Sequence, residues 1–234
     1  MLIATLPPLI EAIFIKRKNR FIAIIEYQGE NHEAHLPSTG RMQELLFNGA
    51  TVFLERHNDQ KRKTKFTLRM VSHNNVLIDI YAAKANSYFR KIVEKGLSNL
   101  FPTNKLTIKN EWAYENHKFD FLIATEKMQT VVEVKSVNLV ENNCALFPDA
   151  PTSRGSSHLR SLSQLAQNGY NCIVSFIVMR NDAENFSFHG EKDPEFYRSA
   201  IEAQQNGVKF CVFKLLFDRN SVQFCSEIPI IWEK

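Results

Sequence analysis

The sequence predicts an α/β chain (α+β) in two parts: a small antiparallel β-barrel over residues 1–82 and a mixed-sheet α/β domain over residues 83–234. Two observations predict it. Up to about Ala82, short β-rich runs alternate with turn signals. From about Asn86, helical periodicities interleave with apolar strands, the pattern of helices packed on a sheet.

In the first part the runs are EAIFIKRKN, RFIAIIEYQG, NHEAHLP, ATVFLERHN, KFTLRMVSH and NVLIDIYA, punctuated by Gly and Asn. Between the third and fourth, STGRMQELLFNG predicts a short helix capped by Ser38 or Thr39 and ended by Gly49. NSYFRKIVEKGLSNL then sets Phe89, Ile92, Val93 and Leu97 at helical spacing and stops at Pro102. KLTIKNEWAYE and KFDFLIATEKMQTVVEVKSVNLV read as consecutive strands with a turn near Glu126-Lys127. SSHLRSLSQLAQNGY predicts a helix from about Ser156-Ser157 with Leu159, Leu162, Leu165 and Ala166 inward and Gly169 as its stop. NCIVSFIVM is a strand, PEFYRSAIEAQQNG a Pro-started and Gly-stopped helix, and VKFCVFKLLF a further strand.

Composition narrows the class. Among 234 residues, 44% are apolar and 23% charged, with 18 Phe, which excludes a disordered chain. The net charge of +4 and pI of about 8.8 permit an anionic partner if the charge is clustered. Cys144, Cys172, Cys211 and Cys225 include no CxxC pair and have no His at ligand spacing, which argues against zinc. Three of them sit in strand-like surroundings, which suits buried thiols in a reducing cytosol and predicts a cytoplasmic protein. The apolar start MLIATLPPLIEAIFIKRKN is broken by Pro7-Pro8 and Glu11, so it reads as neither signal peptide nor membrane span.

The stretch VVEVKSVNL places Glu133 and Lys135 inside an apolar, β-branched run. On a strand these two share one face while Val132 and Val134 take the other. Burying both charges would cost several kcal/mol, so the strand should open into a cleft or meet a metal ion. Asp120, in KFDFLI, is a second carboxylate where an apolar residue is expected. With a turn near residue 127, Asp120 and Glu133 fall opposite each other, about 5 Å apart at Cβ. Two carboxylates so placed repel unless a cation lies between them, and Mg²⁺ (or Mn²⁺) held by one or two carboxylates plus waters fits. Lys135, one pleat on, could hold a phosphate or orient water for metal-assisted phosphodiester hydrolysis. Asp, spacer and Glu-x-Lys on a hairpin beside helices resembles the PD-(D/E)xK, or restriction-endonuclease-like, nuclease core.

LFPDAPTSRGSSHLRSL, together with EVKSVNL, HLPSTGRM and KRKTKFTL, resembles the sugar fermentation stimulation protein A family over residues 8–217. The resemblance implies an OB-like β-barrel followed by a restriction-endonuclease-like mixed-sheet α/β domain, and non-specific DNA binding. Carried over, Asp120, Glu133 and Lys135 match the catalytic triad, with Asp120 and Glu133 as metal ligands. Phe147, Pro148, Asp149, Ala150, Thr152, Arg154, Gly155, His158 and Leu159 match the family's second block, which would lie at the mouth of the same cleft. Where the family pattern expects Cys-Pro-Asn-Thr-Gly, this chain has Leu36-Pro37-Ser38-Thr39-Gly40. For a third metal carboxylate, Glu94 and Glu111 are equal candidates.

The residues add their own case for nucleic acid. Arg154 and His158 flank Gly155 near a helix start, where free backbone N–H groups and an Arg attract phosphate; the alternative pairs Arg154 with Asp149 and lets His158 simply pack. Lys16, Arg17, Lys18 and Arg20 form one basic cluster and Lys61, Arg62, Lys63, Lys65 and Arg69 another, with Phe21 and Phe66 at their edges. Without a reading helix, such contacts predict little sequence preference and strong salt dependence. Three readings follow: a metal-dependent nuclease, a non-catalytic DNA-binding regulatory protein with a vestigial metal site, or a buried ion-pair network serving only the fold. An exposed edge strand could support a homodimer.

Overall fold

The structure, a computed structural model, describes residues 1–38, 40–59, 61–101 and 105–232. The first half is built from β2 (Leu9–Asn19), β3 (Ile22–Tyr27), β4 (Glu30–His35), β5 (Thr51–Arg56) and β6 (Phe66–His73), with β7 (Val76–Asp79) appended on β6. The strands run β4-β3-β2-β5-β6, and a parallel β4–β6 pairing through Ala34↔Phe66 and His35↔Thr67 closes the ring. This closed five-stranded barrel is an OB-type barrel. Alternation explains it: Ala12 and Phe14, Ala23 and Ile25, Val52 and Leu54, and Phe66 and Leu68 all point into one interior cluster. The β3–β4 hairpin turns on Gln28 and Gly29, both at positive φ (55° and 79°), the pair a two-residue turn of this hand requires.

The second half has a seven-stranded sheet. It contains β8 (Thr107–Tyr114), β9 (His117–Ala124), β10 (Gln129–Val137), β13 (Asn171–Val178), β15 (Lys209–Phe217) and β16 (Ser221–Glu227). The seventh strand is β1 (Leu2–Thr5), and the order is β1-β16-β15-β13-β10-β9-β8. β10, β13 and β15 are parallel and the others antiparallel. Helix α1 (Lys84–Glu94) packs one face through Ala85, Tyr88, Phe89, Ile92 and Val93. Helices α2 (Ser153–Gln167) and α3 (Pro194–Gln205) pack the other through Leu159, Leu162, Leu165, Phe196 and Ala200. A small sheet of β11 (Val140–Glu141), β12 (Cys144–Phe147), β14 (Asn185–Phe188) and β17 (Ile230–Ile231) lies beside them. No helix among the described residues is long and apolar enough to cross a membrane.

The halves share a core. Phe53 alternates with the barrel's inward residues and Met70 is turned outward by the bulge at this point of the β5–β6 ladder, so both face the same cluster as Ile3, Phe89, Val132 and Phe213. Arg69 (2% exposed) spans the junction, donating to Glu55 (2.9 Å), to fully buried Asp79 (2.7 Å) and to the Tyr88 hydroxyl of α1.

Three local expectations are corrected. The apolar segment Leu2–Thr5 belongs to the second half's sheet, pairing with β16 and burying Ile3 in the cluster that the halves share. The segment after Ser38 is a set of turns: Met42 at φ 45° accepts from Leu45 and Leu46, which seal the barrel, and Gly49 (φ 93°) donates back to Phe14. A stretch this short does not repay helix nucleation; the alternative cap, Thr39, and the stop at Pro102 lie outside the described residues. Helix α2 starts at Ser153, three residues before Ser156, because Thr152 caps it.

Candidate functional site

The β9–β10 ladder runs from Ala124↔Gln129 to Phe121↔Val132, a register whose next step sets Asp120 opposite Glu133. There the strands part, and the Asp120 side chain takes over from the ladder: Val134 N–H donates to its Oδ2 (2.7 Å) and Asn86 Nδ2 of α1 to its Oδ1 (2.6 Å). On its other edge β10 stays paired with β13 through Glu133↔Val174 and Lys135↔Phe176.

Glu133 is 5% exposed. Its Oε1 accepts from Lys135 Nζ (2.5 Å) and from His158 Nδ1 (2.7 Å). Its Oε2 is buried with no hydrogen-bond partner, and an ionised oxygen left this way costs upward of about 1–3 kcal/mol. The two carboxylates are pushed apart. Burial, then the charge of Glu133, raises the pKa of Asp120 against its two hydrogen bonds. Burial also acts against Glu133, but the His158 hydrogen bond and the Lys135 charge outweigh it and hold that carboxyl below the ordinary range. Glu133 is thus the ionised member and Asp120 the first to take a proton. A cation could be held by Asp120 and the unpartnered Glu133 oxygen; among the described residues no group of three or more His, Cys, Asp or Glu is arranged as a metal site.

The second block positions His158. Thr152 caps α2, its hydroxyl accepting from Gly155 N (3.1 Å), while Thr152 N–H donates to Asp193, which in turn caps α3 through Phe196 N. A Cβ at Gly155 would lie 2.8 Å from Thr152 Cγ2 and 3.0 Å from Phe196 Cε2, so only glycine lets α2 start this close to α3. One turn on, His158 reaches Glu133, its ring edge-on to His117 (5.4 Å between centroids) and Phe119 (5.7 Å). Exposed Arg154 donates from Nε to His158 Nε2 (3.4 Å), which leaves the proton on Nδ1 for Glu133. Arg154 is exposed in the first turn of α2, whereas His158 is a buried partner of Glu133, and Asp149 lies against Gly40.

Neither candidate for the third carboxylate is bonded to the pair, although Glu111 lines the same groove as Asp120. Glu94 binds Arg90 and Lys91 at the end of α1, and Glu111 binds Lys118 (2.8 Å). The α1 residue that meets Asp120 is neutral Asn86, for which residue type alone carried no signal.

The basic clusters converge at one end of the barrel. Phe21 O accepts from Leu36 N (2.7 Å), and β4 pairs with the start of β6, so the β2–β3 turn and the β5–β6 loop are neighbours. Lys16, Lys18, Arg20, Lys61, Arg62, Lys63 and Lys65 are exposed there, with Arg20 over the ring of half-exposed Phe21 (5.7 Å). Lys18 pairs with Glu33, and Arg62 donates to Thr67 Oγ1 (3.1 Å). Arg69, read with the second cluster, is instead buried and paired with Glu55 and Asp79, and Arg17 departs from the first. It is half-buried and donates to the Gly40 carbonyl (2.6 Å), its pKa lowered by burial although Asp149 and Glu44 oppose the shift. A cavity of about 280 Å³, lined by Gly40, Asn86 and Lys135 among others, lies beside the pair.

Comparison with known proteins agrees with this architecture. The family model described as the SfsA N-terminal OB domain matches residues 15–80, and that described as the sugar fermentation stimulation protein RE domain matches residues 83–221. The sugar fermentation stimulation protein homolog of Desulforamulus reducens is 34% identical over 96% of this chain and 93% of its own length. That of Acetivibrio thermocellus is 36% identical over 95% and 97%. The structure of Pyrococcus furiosus SfsA in complex with Ca²⁺ superposes with a TM-score of 0.91 at 26% identity, covering 99% of each chain. With two family models spanning the barrel and the sheet domain, and relatives aligned end to end, this chain belongs to the sugar fermentation stimulation protein (SfsA) family.

Proposed function

We propose that this protein binds DNA with little sequence preference through the basic barrel end and carries a Mg²⁺- or Mn²⁺-dependent nuclease-type site at Asp120, Glu133 and Lys135. The observation that carries the reading is the buried Glu133 Oε2 without a partner, beside a second carboxylate and in a strand that opens into a cavity. A divalent cation suits it, and a relative of the same fold is described in complex with Ca²⁺. Asp120 and Glu133 would hold the ion, which when bound neutralises phosphate charge and lowers the pKa of water. Asn86 and the Val134 N–H orient Asp120, while His158 and Lys135 orient Glu133. Lys135 Nζ, released from Glu133 by a competing charge, positions a phosphate oxygen or the attacking water. The thiols of Cys172, Cys211 and Cys225 suit a cytoplasmic setting.

The test is cleavage of labelled single- and double-stranded DNA with Mg²⁺, Mn²⁺ or EDTA, comparing the parent with Lys135→Ala, alongside calorimetric Mn²⁺ binding by Glu133→Ala. Metal-dependent cutting that the lysine variant loses while still binding DNA supports the nuclease. A second reading, a non-catalytic DNA-binding regulatory protein of sugar metabolism with a vestigial metal site, is favoured by the neutral Asn86 at the position facing Asp120 and by Glu94 being committed to Arg90 and Lys91. Salt-sensitive binding without cutting by either protein decides for it.

A further inference from the structure

The cavity beside Lys135 has walls from both halves of the molecule. Ser38, Gly40, Met42 and Glu44, from the connection between β4 and β5, face Asn86, Lys135 and Asn138 across about 280 Å³. The connection touches the far wall at two points. Asn138 Nδ2 lies 3.7 Å from Met42 Sδ, and a Cβ added to Gly40 would stand 2.7 Å from Asp149 Oδ2. Arg17 fastens it from behind through the Gly40 carbonyl. The cavity is therefore roofed, and it continues on both sides. Asn86 also lines a groove of about 410 Å³ that holds Asp120 and Arg90. Met42, Glu44 and Asp149 also line a space of about 320 Å³ that reaches Arg41, Arg180 and Lys192. The path past the site is open, roofed, then open again, with Arg90 beside Glu111 and Asp120 on one side of the roofed part, and Arg41 and Lys192 beside Glu44, Glu141 and Asp149 on the other, where Arg180 is buried against Asp182.

A B-form duplex, whose major groove alone is about 12 Å wide, does not fit beneath a roof that meets the opposite wall at two points. A single strand does, because its bases unstack and its backbone follows a charged groove. We propose that the site takes unpaired DNA, either single strands or frayed ends, and excludes intact duplex, with residues 40–44 as the selecting element and Arg17 as the positioning residue that holds them. This rests on the DNA-binding, nuclease-type reading above and names its substrate.

The test is independent of cleavage. An oligonucleotide carrying 5-iododeoxyuridine, single-stranded or annealed as a blunt duplex, is photocrosslinked to the full chain in EDTA and the labelled peptides are identified by mass spectrometry. The single strand is expected to label residues 134–139 at least tenfold more than the duplex, which labels only the basic barrel loops. Arg17→Ala, or Gly40→Ala if the first fails to fold, should raise duplex labelling of residues 134–139 by loosening the roof. Equal labelling of that segment by duplex, or no labelling of it by the single strand, overturns the inference while leaving DNA binding in place. Absence of crosslinks to any peptide with either probe removes the DNA-binding reading and this inference with it.

Discussion

Arg69→Met isolates the charge that ties the barrel to the sheet domain. Arg69 and Asp79 are 2% and 0% exposed, and their 2.7 Å contact is supplemented by Glu55 and Tyr88. Burial pushes the Asp79 carboxyl up against the pull of Arg69, so removing the guanidinium leaves a carboxylate that the interior disfavours. Breaking such a pair from one side costs about 3–5 kcal/mol. A ceiling applies, because the carboxyl can take a proton instead: at pH 7, protonating a group with the ordinary Asp pKa of about 3.9 costs about 4 kcal/mol. Asp79 also keeps the Tyr88 hydroxyl (2.8 Å) and the Tyr81 N–H (2.9 Å), so about 3–4 kcal/mol is expected at pH 7. The sign with pH follows. In the variant the folded-state pKa of Asp79 lies above its unfolded value, so the folded state holds the extra proton and stability falls as pH rises toward that folded pKa. Asp79 of the parent is raised in the same direction but held lower by Arg69, so between the two folded-state pKa values the deficit should shrink by up to about 1.4 kcal/mol per pH unit on acidification. Urea unfolding at pH 7 and 5.5, followed by fluorescence of Trp112 and Trp232, measures both. A loss below about 1 kcal/mol at pH 7, outside the range for a broken buried pair, would refute the reasoning, as would a loss indifferent to pH.

Three further outcomes are expected. His158→Ala removes the orienting hydrogen bond on Glu133 and should weaken Mn²⁺ binding by roughly 10–100-fold in calorimetry; unchanged affinity would separate His158 from the site. Gly155→Ala places a methyl 2.8 Å from Thr152 and 3.0 Å from Phe196, and should cost about 1–3 kcal/mol by overpacking, read as a fall of several degrees in Tm. Replacing Lys61, Lys63 and Lys65 together by alanine should weaken DNA binding for all sequences alike and flatten the plot of log affinity against log salt by about 2–3; an unchanged slope would move the interface elsewhere.

Much of this molecule could be read locally. Alternation in runs such as RFIAIIEYQG marks the barrel strands because period-2 burial is written in neighbouring residues. The register that sets Asp120 opposite Glu133 follows from a turn near residue 127 and simple counting. The block from Thr152 to His158 was recognisable as a unit, although its purpose was not: it caps and seats α2 so that His158 meets Glu133. Arg17 shows the limit most plainly. In the sequence it is one of four basic residues around a turn; in the fold a bulge in β2 accompanies its turn inward onto Gly40.

By itself, then, the sequence determined the two-part order of elements, the strand faces and the pair of carboxylates on adjacent strands, since all of these depend on spacing along a few residues. The tertiary structure alone decided that Leu2–Thr5 completes the second sheet, that Asn86 hydrogen-bonds Asp120, and that the barrel's 40–44 connection lines the cavity beside Lys135. Those contacts join residues far apart in the chain, such as Met42 and Asn138. They exist only because Phe53 and Met70 bury the outer wall of the barrel against the sheet domain, and no local pattern encodes where two buried surfaces will meet.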